Sequence, residues 1–231
     1  MLCVGRRRGA AMPRAIRIAM PLQNRVNPFG GLDAVPARGA WLGNRGILHD
    51  DRREIVAQWR SKAWITCRLH YPGVHRAVFS PHTWSELFFL DEATAFAAGH
   101  RPCAYCRRER YVEFKRAWCA ANARQLESPD PRVGVIDAIL HRERVARTGK
   151  VVFRARFGAL PDGAFIARDG AAHLVWQDRS WPWSHRGYGR PLPAPSPATR
   201  VDVLTPRSIV AMFAAGFEPQ VDASALRAPR G

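Results

Sequence analysis

Apolar residues in this chain recur in short blocks whose period changes from one block to the next. Residues 20–50 are punctuated by Gly, Pro and Asn and predict loops with short extended pieces. Residues 54–59 (EIVAQW) and 63–70 (AWITCRLH) predict two strands around a basic turn at 60–62. In the second, Ala63, Ile65, Cys67 and Leu69 alternate with Trp64, Thr66, Arg68 and His70, which gives one apolar face. Residues 86–90 (ELFFL) predict another strand, after which Asp91 caps a helix, EATAFAAG, that ends at Gly99.

Helical spacing returns over 107–123. There Val112, Lys115, Trp118 and Cys119, with Tyr111 and Phe114 nearby, make an aromatic stripe that reads as a core face. Ser128-Pro129-Asp130-Pro131 breaks the chain. A further helix over 133–147 has Ile136, Ile139 and Leu140 on one side and Arg142, Arg144 and Arg147 toward its end, where cations suit the helix dipole.

The last third changes character. Residues 151–157, 164–169 and 173–178 predict short strands, with Pro161-Asp162-Gly163 and Asp169-Gly170 as hairpin signals. Trp181-Pro182-Trp183 and 191–197 read as an irregular Pro-rich connection, before a strand at 200–204 and a helix at 205–216 closed by Gly216. The expected class is α+β: a metal knuckle with flanking helices, then a small antiparallel sheet and a C-terminal helix. Three portions are expected: a basic leader (1–19), a knuckle and helical portion (20–148), and a β portion with the closing helix (149–231). The last two form either one domain or two.

Composition adds a partner to this outline. The 231 residues are 47% hydrophobic and 24% charged, ordinary for a globular chain. No apolar run approaches the ~20 residues of a membrane helix. Lys plus Arg number 36 against 19 for Asp plus Glu, a formal charge of +17, and only Lys62, Lys115 and Lys150 are lysines. Such excess points to a polyanionic partner, DNA or RNA before an acidic membrane surface. The leader holds five arginines and no acid. It reads as a disordered tail or an over-extended start, with Met12 and Met20 as alternative starts, and the body stays strongly basic without it. No secretory core follows its arginines, so a reducing, cytoplasmic setting is expected, with cysteines serving as thiols or metal ligands.

Cys103-Ala104-Tyr105-Cys106 is the sharpest motif. Cysteines at this spacing turn both thiolates toward one ion, and zinc then needs two more ligands to complete a tetrahedron. Upstream stand Cys67, His70, His75, His82 and His100. Cys67 is the first choice as the other body thiol outside a helix, and His75 the next. The basic residues band around this motif and after it: Arg101, Arg107, Arg108, Arg110 and Lys115, then Arg142, Arg144 and Arg147. Such a surface suits phosphate contacts, with a helix N-terminus after Cys106 adding N–H groups. Trp176, Trp181, Trp183 and Tyr188 among arginines read either as base-stacking faces or as rings packed under a Pro-rich loop.

The stretch 88–108, FFLDEATAFAAGHRPCAYCRR, resembles the second half of the zinc-binding domain of the bacterial Ada DNA-repair family. Both order a short strand, a helix with an Ala-Ala-Gly end, and Arg-Pro-Cys-x-x-Cys. The resemblance implies a zinc module with a leaning to nucleic acid and DNA repair. It covers about 20 residues, and the family's first pair, C-x-x-x-C, is absent because Tyr71 stands four positions after Cys67. The family's methyl-acceptor activity therefore does not carry over with the resemblance.

His49 and Asp50 lie in a polar, loop-rich segment and are, with Cys67, the first suspects for catalysis if the chain is a nuclease or an alkyl-damage repair enzyme. An Asx turn explains the same segment without chemistry. Three function classes follow: a nucleic-acid-binding zinc protein, which is the preferred reading, a nucleic-acid enzyme, and a zinc-stabilised protein-interaction protein.

Overall fold

The computed structural model describes residues 20–73 and 77–226. The leader at 1–19 and His75 lie outside the described residues. The protein is α+β. Its first half builds β1 (Arg25–Val26), β2 (Leu32–Asp33), β3 (Trp41–Asn44), β4 (Ile65–Arg68), β5 (Leu87–Phe89), α1 (Glu92–Ala97) and β6 (Arg101–Pro102). These strands make one mixed sheet in the order β2-β1-β5-β3-β4-β6. Two helices follow, α2 (Arg108–Ala121) and α3 (Val133–Arg144), and then a two-stranded ribbon of β7 (Val145–Ala146) and β8 (Gly149–Lys150).

The second sheet is larger than the sequence pattern predicts. It contains β9 (Phe153–Arg156), β10 (Phe165–Arg168), β11 (Ala171–Trp176), β12 (Arg179–Ser184), β13 (Gly187–Tyr188), β14 (Leu192–Pro193) and β15 (Arg200–Val203). Its order is β13-β12-β11-β10-β15-β9, with β14 beside β12, and all its pairings are antiparallel. Helices α4 (Arg207–Ala214) and α5 (Ala223–Leu226) complete the chain.

Helix α1 sits where the cores meet, and all six of its residues are buried. Ala95 and Ala98 face the first sheet with Leu87 and Phe89. Ala93 and Ala97 face the second sheet with Phe165, Leu174 and Trp181. Phe96 enters the helical cluster of Phe114, Trp118, Ile136 and Leu140 with Met212 and Phe213 of α4. A helix apolar all round is a buried one, and alanines let neighbours approach it closely on every side. Asp91 caps it by accepting from Thr94 N at 2.8 Å, and also takes Tyr188 Oη at 2.7 Å and Asp222 N at 2.9 Å. Gly99 ends it at φ +87, and any Cβ there would run into the Arg144 side chain.

Several expectations need correction. Among the described residues, 54–59 make only an isolated bridge, His49 to Ile55, and no strand. Around β4, over 64–69, the buried face is Trp64 and Thr66, while Ile65, Cys67 and Leu69 line a pocket. Pro161-Asp162-Gly163 joins strands that do not pair, since β15 lies between β9 and β10. Trp181-Pro182-Trp183 lies within β12, which a second tight hairpin supplies: Gln177 and Asp178 both take positive φ, as Asp169 and Gly170 do in the expected hairpin. Trp181 and Tyr188 are buried and Trp183 donates to Thr94 Oγ1, so these rings are packing rather than stacking surface.

A group of cations is buried beside this junction. The guanidiniums of Arg45 and Arg144 lie 3.9 and 4.0 Å from the Trp64 ring centre. Arg45 Nε donates to His100 Nε2 at 3.1 Å, and Arg144 donates to the carbonyls of Gly99 and Lys62. Lys150 Nζ donates to Ala97 O at 2.6 Å. Burial and then these arginines lower the Lys150 pKa from 10.5 to about 7. Between those values the unfolded chain holds a proton that the folded one lacks, so stability rises with pH across about 7 to 10.5. Lys150→Met removes that contribution. Urea unfolding of both proteins over this range should show a flatter pH dependence for the variant.

Candidate metal centre

Strand pairing brings the cysteines together. β4 and β6 run parallel, with Ile65 opposite Arg101 and Thr66 opposite Pro102. Cys103 N donates to Thr66 O at 2.9 Å, which continues the ladder and sets Cys103 beside Cys67. The chain then turns tightly, with Arg107 N donating to Cys103 O, and returns Cys106 to the same point before α2 begins. The three sulfurs lie within 4.8 Å of one another, close enough to hold a metal ion.

The surroundings favour a negative sulfur. Arg68 N donates to Cys106 Sγ and Tyr105 N to Cys103 Sγ, each at 3.4 Å. Donation from Cys67, helped by backbone N–H groups against the cost of burial, lowers the Cys103 pKa from 9.0 to about 5. The Cys67 thiol is pushed up by its bond to Cys103 and by burial, and Cys106 is pushed up by burial. Within the trio the thiolate is favoured at Cys103 and the thiol at Cys67 and Cys106. A bound cation would replace the thiol protons, because metal-held cysteines bind as thiolates.

Buried ion pairs brace the knuckle on both sides. Before it, Arg101 makes a two-point bond to Asp137 of α3, at 2.7 and 2.8 Å. After it, Arg107 meets Glu92 Oε1 at 2.5 Å and stacks 3.9 Å from the Trp41 ring centre. Glu92 also takes Arg110 at 2.6 Å and Gln220 N at 3.0 Å. Burial alone would raise the Glu92 pKa, but these cations hold it below the usual carboxylate value. Neither brace was visible in the sequence, where charged residues at such separations carry no pairing signal.

The expected contact residues thus divide. Arg101, Arg107 and Arg144 are buried with internal partners. Arg110 is tied to Glu92, and Lys115 to Asp130 at 2.5 Å. Arg108, Arg142 and Arg147 remain exposed. Among the imidazoles, His70 lines the pocket beside the thiols, His82 is exposed on its own turn, and His100 is buried against Phe89 and Arg45. Burial and the neighbouring arginines push the His100 pKa well down. His49 stacks on Phe79 at 4.5 Å and shares a 2.7 Å bond with Ser85 Oγ, while Asp50 accepts from Arg52 N and Glu54 N. Neither is among the residues that line the pocket beside the thiols.

The sulfurs open onto a pocket of about 540 Å³, walled by Leu42, Ile65, Val78, Trp84 and Phe88, with Asn44 and Glu86 as polar members. A neighbouring groove of about 520 Å³ shares Arg68, Tyr71, Tyr105 and Cys106 with it and adds Arg108. The rings of Tyr71 and Tyr105 lie 5.3 Å apart at this shared rim. Glu86 and Trp84 were missed from sequence, where Glu86 reads as the polar start of an apolar strand.

No family model, curated protein or solved structure matches the chain.

Protein purified without chelator should contain near-stoichiometric metal by plasma mass spectrometry, and the Cys103→Ser/Cys106→Ser double variant should contain almost none. Glu92→Ala leaves the buried Arg107 without its acid and Arg110 with only Glu113. It should cost about 3–5 kcal/mol in urea unfolding, with a matching loss of metal affinity in a chelator competition.

Proposed function

We propose that this protein holds zinc with Cys67, Cys103 and Cys106, with His75 as fourth ligand, and that the face around the zinc contacts DNA or RNA. The donor set supports zinc: metal–sulfur bonds of about 2.3 Å at tetrahedral angles put sulfurs roughly 3.8 Å apart, within the observed 4.8 Å limit. The resemblance of 88–108 to the Ada zinc module points the same way. The zinc would fix the turn between β6 and α2 and keep three thiolates ionised. A reducing, cytoplasmic setting belongs to this reading, since oxidised thiols hold no zinc.

The observation that carries nucleic-acid contact is the company the thiols keep. Arg68 and Arg108 are exposed beside Tyr71 and Tyr105, and Tyr105 is 75% exposed. Arginines neutralise phosphates, and paired aromatic rings offer bases a stacking surface. Among the described residues no helix is long and apolar enough to cross a membrane.

A salt series of fluorescence anisotropy on short oligonucleotides tests this. Affinity should fall steeply with salt. Arg68→Ala and Arg108→Ala should each lower the log–log slope by about one. Tyr105→Ala should cost about 1–3 kcal/mol at every salt concentration. Zinc-loaded protein that shows no salt-sensitive binding would end the nucleic-acid part, and co-purification with a protein partner instead would favour the interaction-protein reading.

A further inference from the structure

Glu86 is 3% exposed and has a task for only one of its oxygens. Oε2 accepts from Phe79 N at 2.8 Å, while Oε1 is buried with no partner. Among the described residues it is the carboxylate oxygen left in that state. A buried acceptor without a donor is costly, and that cost is recovered when a donor arrives. Glu86 stands in the wall of the pocket in front of the thiols, with Trp84, Phe88 and Asn44 also in the lining. At about 540 Å³ the pocket falls in the range of small-molecule sites, about 300–1,000 Å³. It shares Arg68, Tyr71 and Tyr105 with the neighbouring groove.

We propose that this pocket receives one unstacked nucleobase that bears an exocyclic amine, and that Glu86 is the residue that selects it. This rests on the nucleic-acid reading of the rim. The aromatic and aliphatic walls take the faces of the base, and a small turn of the Glu86 side chain about its Oε2 anchor lets Oε1 accept the amine N–H. A carboxylate accepts from the amino group of cytosine and repels the carbonyl that uracil presents at the same position. Only one oxygen is free, so the site reads one donor. The Tyr71–Tyr105 rim would hold the neighbouring base of the strand.

Cytidine and uridine differ at that one position and serve as the probes. Each is titrated by calorimetry onto the zinc-loaded full chain, alongside an oligothymidine with and without a single central cytosine. Cytidine should bind about tenfold more tightly than uridine, equivalent to about 1.4 kcal/mol. Glu86→Gln keeps an oxygen for Phe79 N but turns an amine to the pocket, and should bring the ratio to one or below. Its thermal unfolding is recorded to show that it folds, and the wild-type ratio decides the matter if it does not. Equal affinities, a preference for uridine, or no nucleoside binding would overturn the proposal. If the oligonucleotides still bind with strong salt dependence in that case, the pocket fails and the nucleic-acid reading stands. Discrimination between nucleosides without any oligonucleotide binding means the reverse: the pocket stands and the reading of the rim falls.

Discussion

The carboxylate of Glu92 is where separate parts of the chain are held in register. It begins α1, yet its oxygens receive Arg107 and Arg110 from the start of α2 and a backbone N–H from Gln220 near the C-terminus. One buried acid thus ties the helix shared by three cores to the helix that leaves the cysteine knuckle. The bond of Arg101 to Asp137 does the same on the other side of the knuckle. Neither pair is a source of much net stability, because two desolvated charges gain little over an apolar pair. Their value is geometric: they hold the two ends of the knuckle against α3 and α1.

This arrangement changes the meaning of the charge. An excess of arginine reads as an outer surface, but part of it is internal framework here. Guanidinium has a flat face for Trp41 or Trp64 and a fork for carbonyls and carboxylates, so it can be buried where an ammonium is costly. Lys150, a part-buried lysine of the same region, shows that cost in its lowered pKa. What remains outside near the thiols is a smaller basic set, chiefly Arg68 and Arg108.

Local signals made much of the fold legible. Asp91 and Gly99 bracket α1, Gly216 follows α4, and Asp169-Gly170 turns a hairpin, because caps and left-handed positions are set by a few neighbouring residues. The cysteine trio was legible for a related reason: C-x-x-C is local, and Cys67 was the remaining body thiol outside a helix. What stayed hidden depends on distant partners. Gln177 and Asp178 turn a hairpin without glycine because β11 and β12 pair on either side. The inward arginines and the lone oxygen of Glu86 depend on what folds over them. The alternation of β4 was legible, but alternation does not tell a core face from a cavity wall.

Cys67 and Cys103 lie far apart along the chain and meet only across the parallel pairing of β4 with β6. Parallel neighbours cannot form from a simple hairpin, and the intervening loop must first place β5 and α1. The complete three-sulfur site therefore arises late, after contacts of long sequence separation have closed. Until then the growing chain presents a two-cysteine site of lower affinity. An ion captured by all three sulfurs would act as a latch on a finished fold, and its slow release would report how seldom that loop reopens.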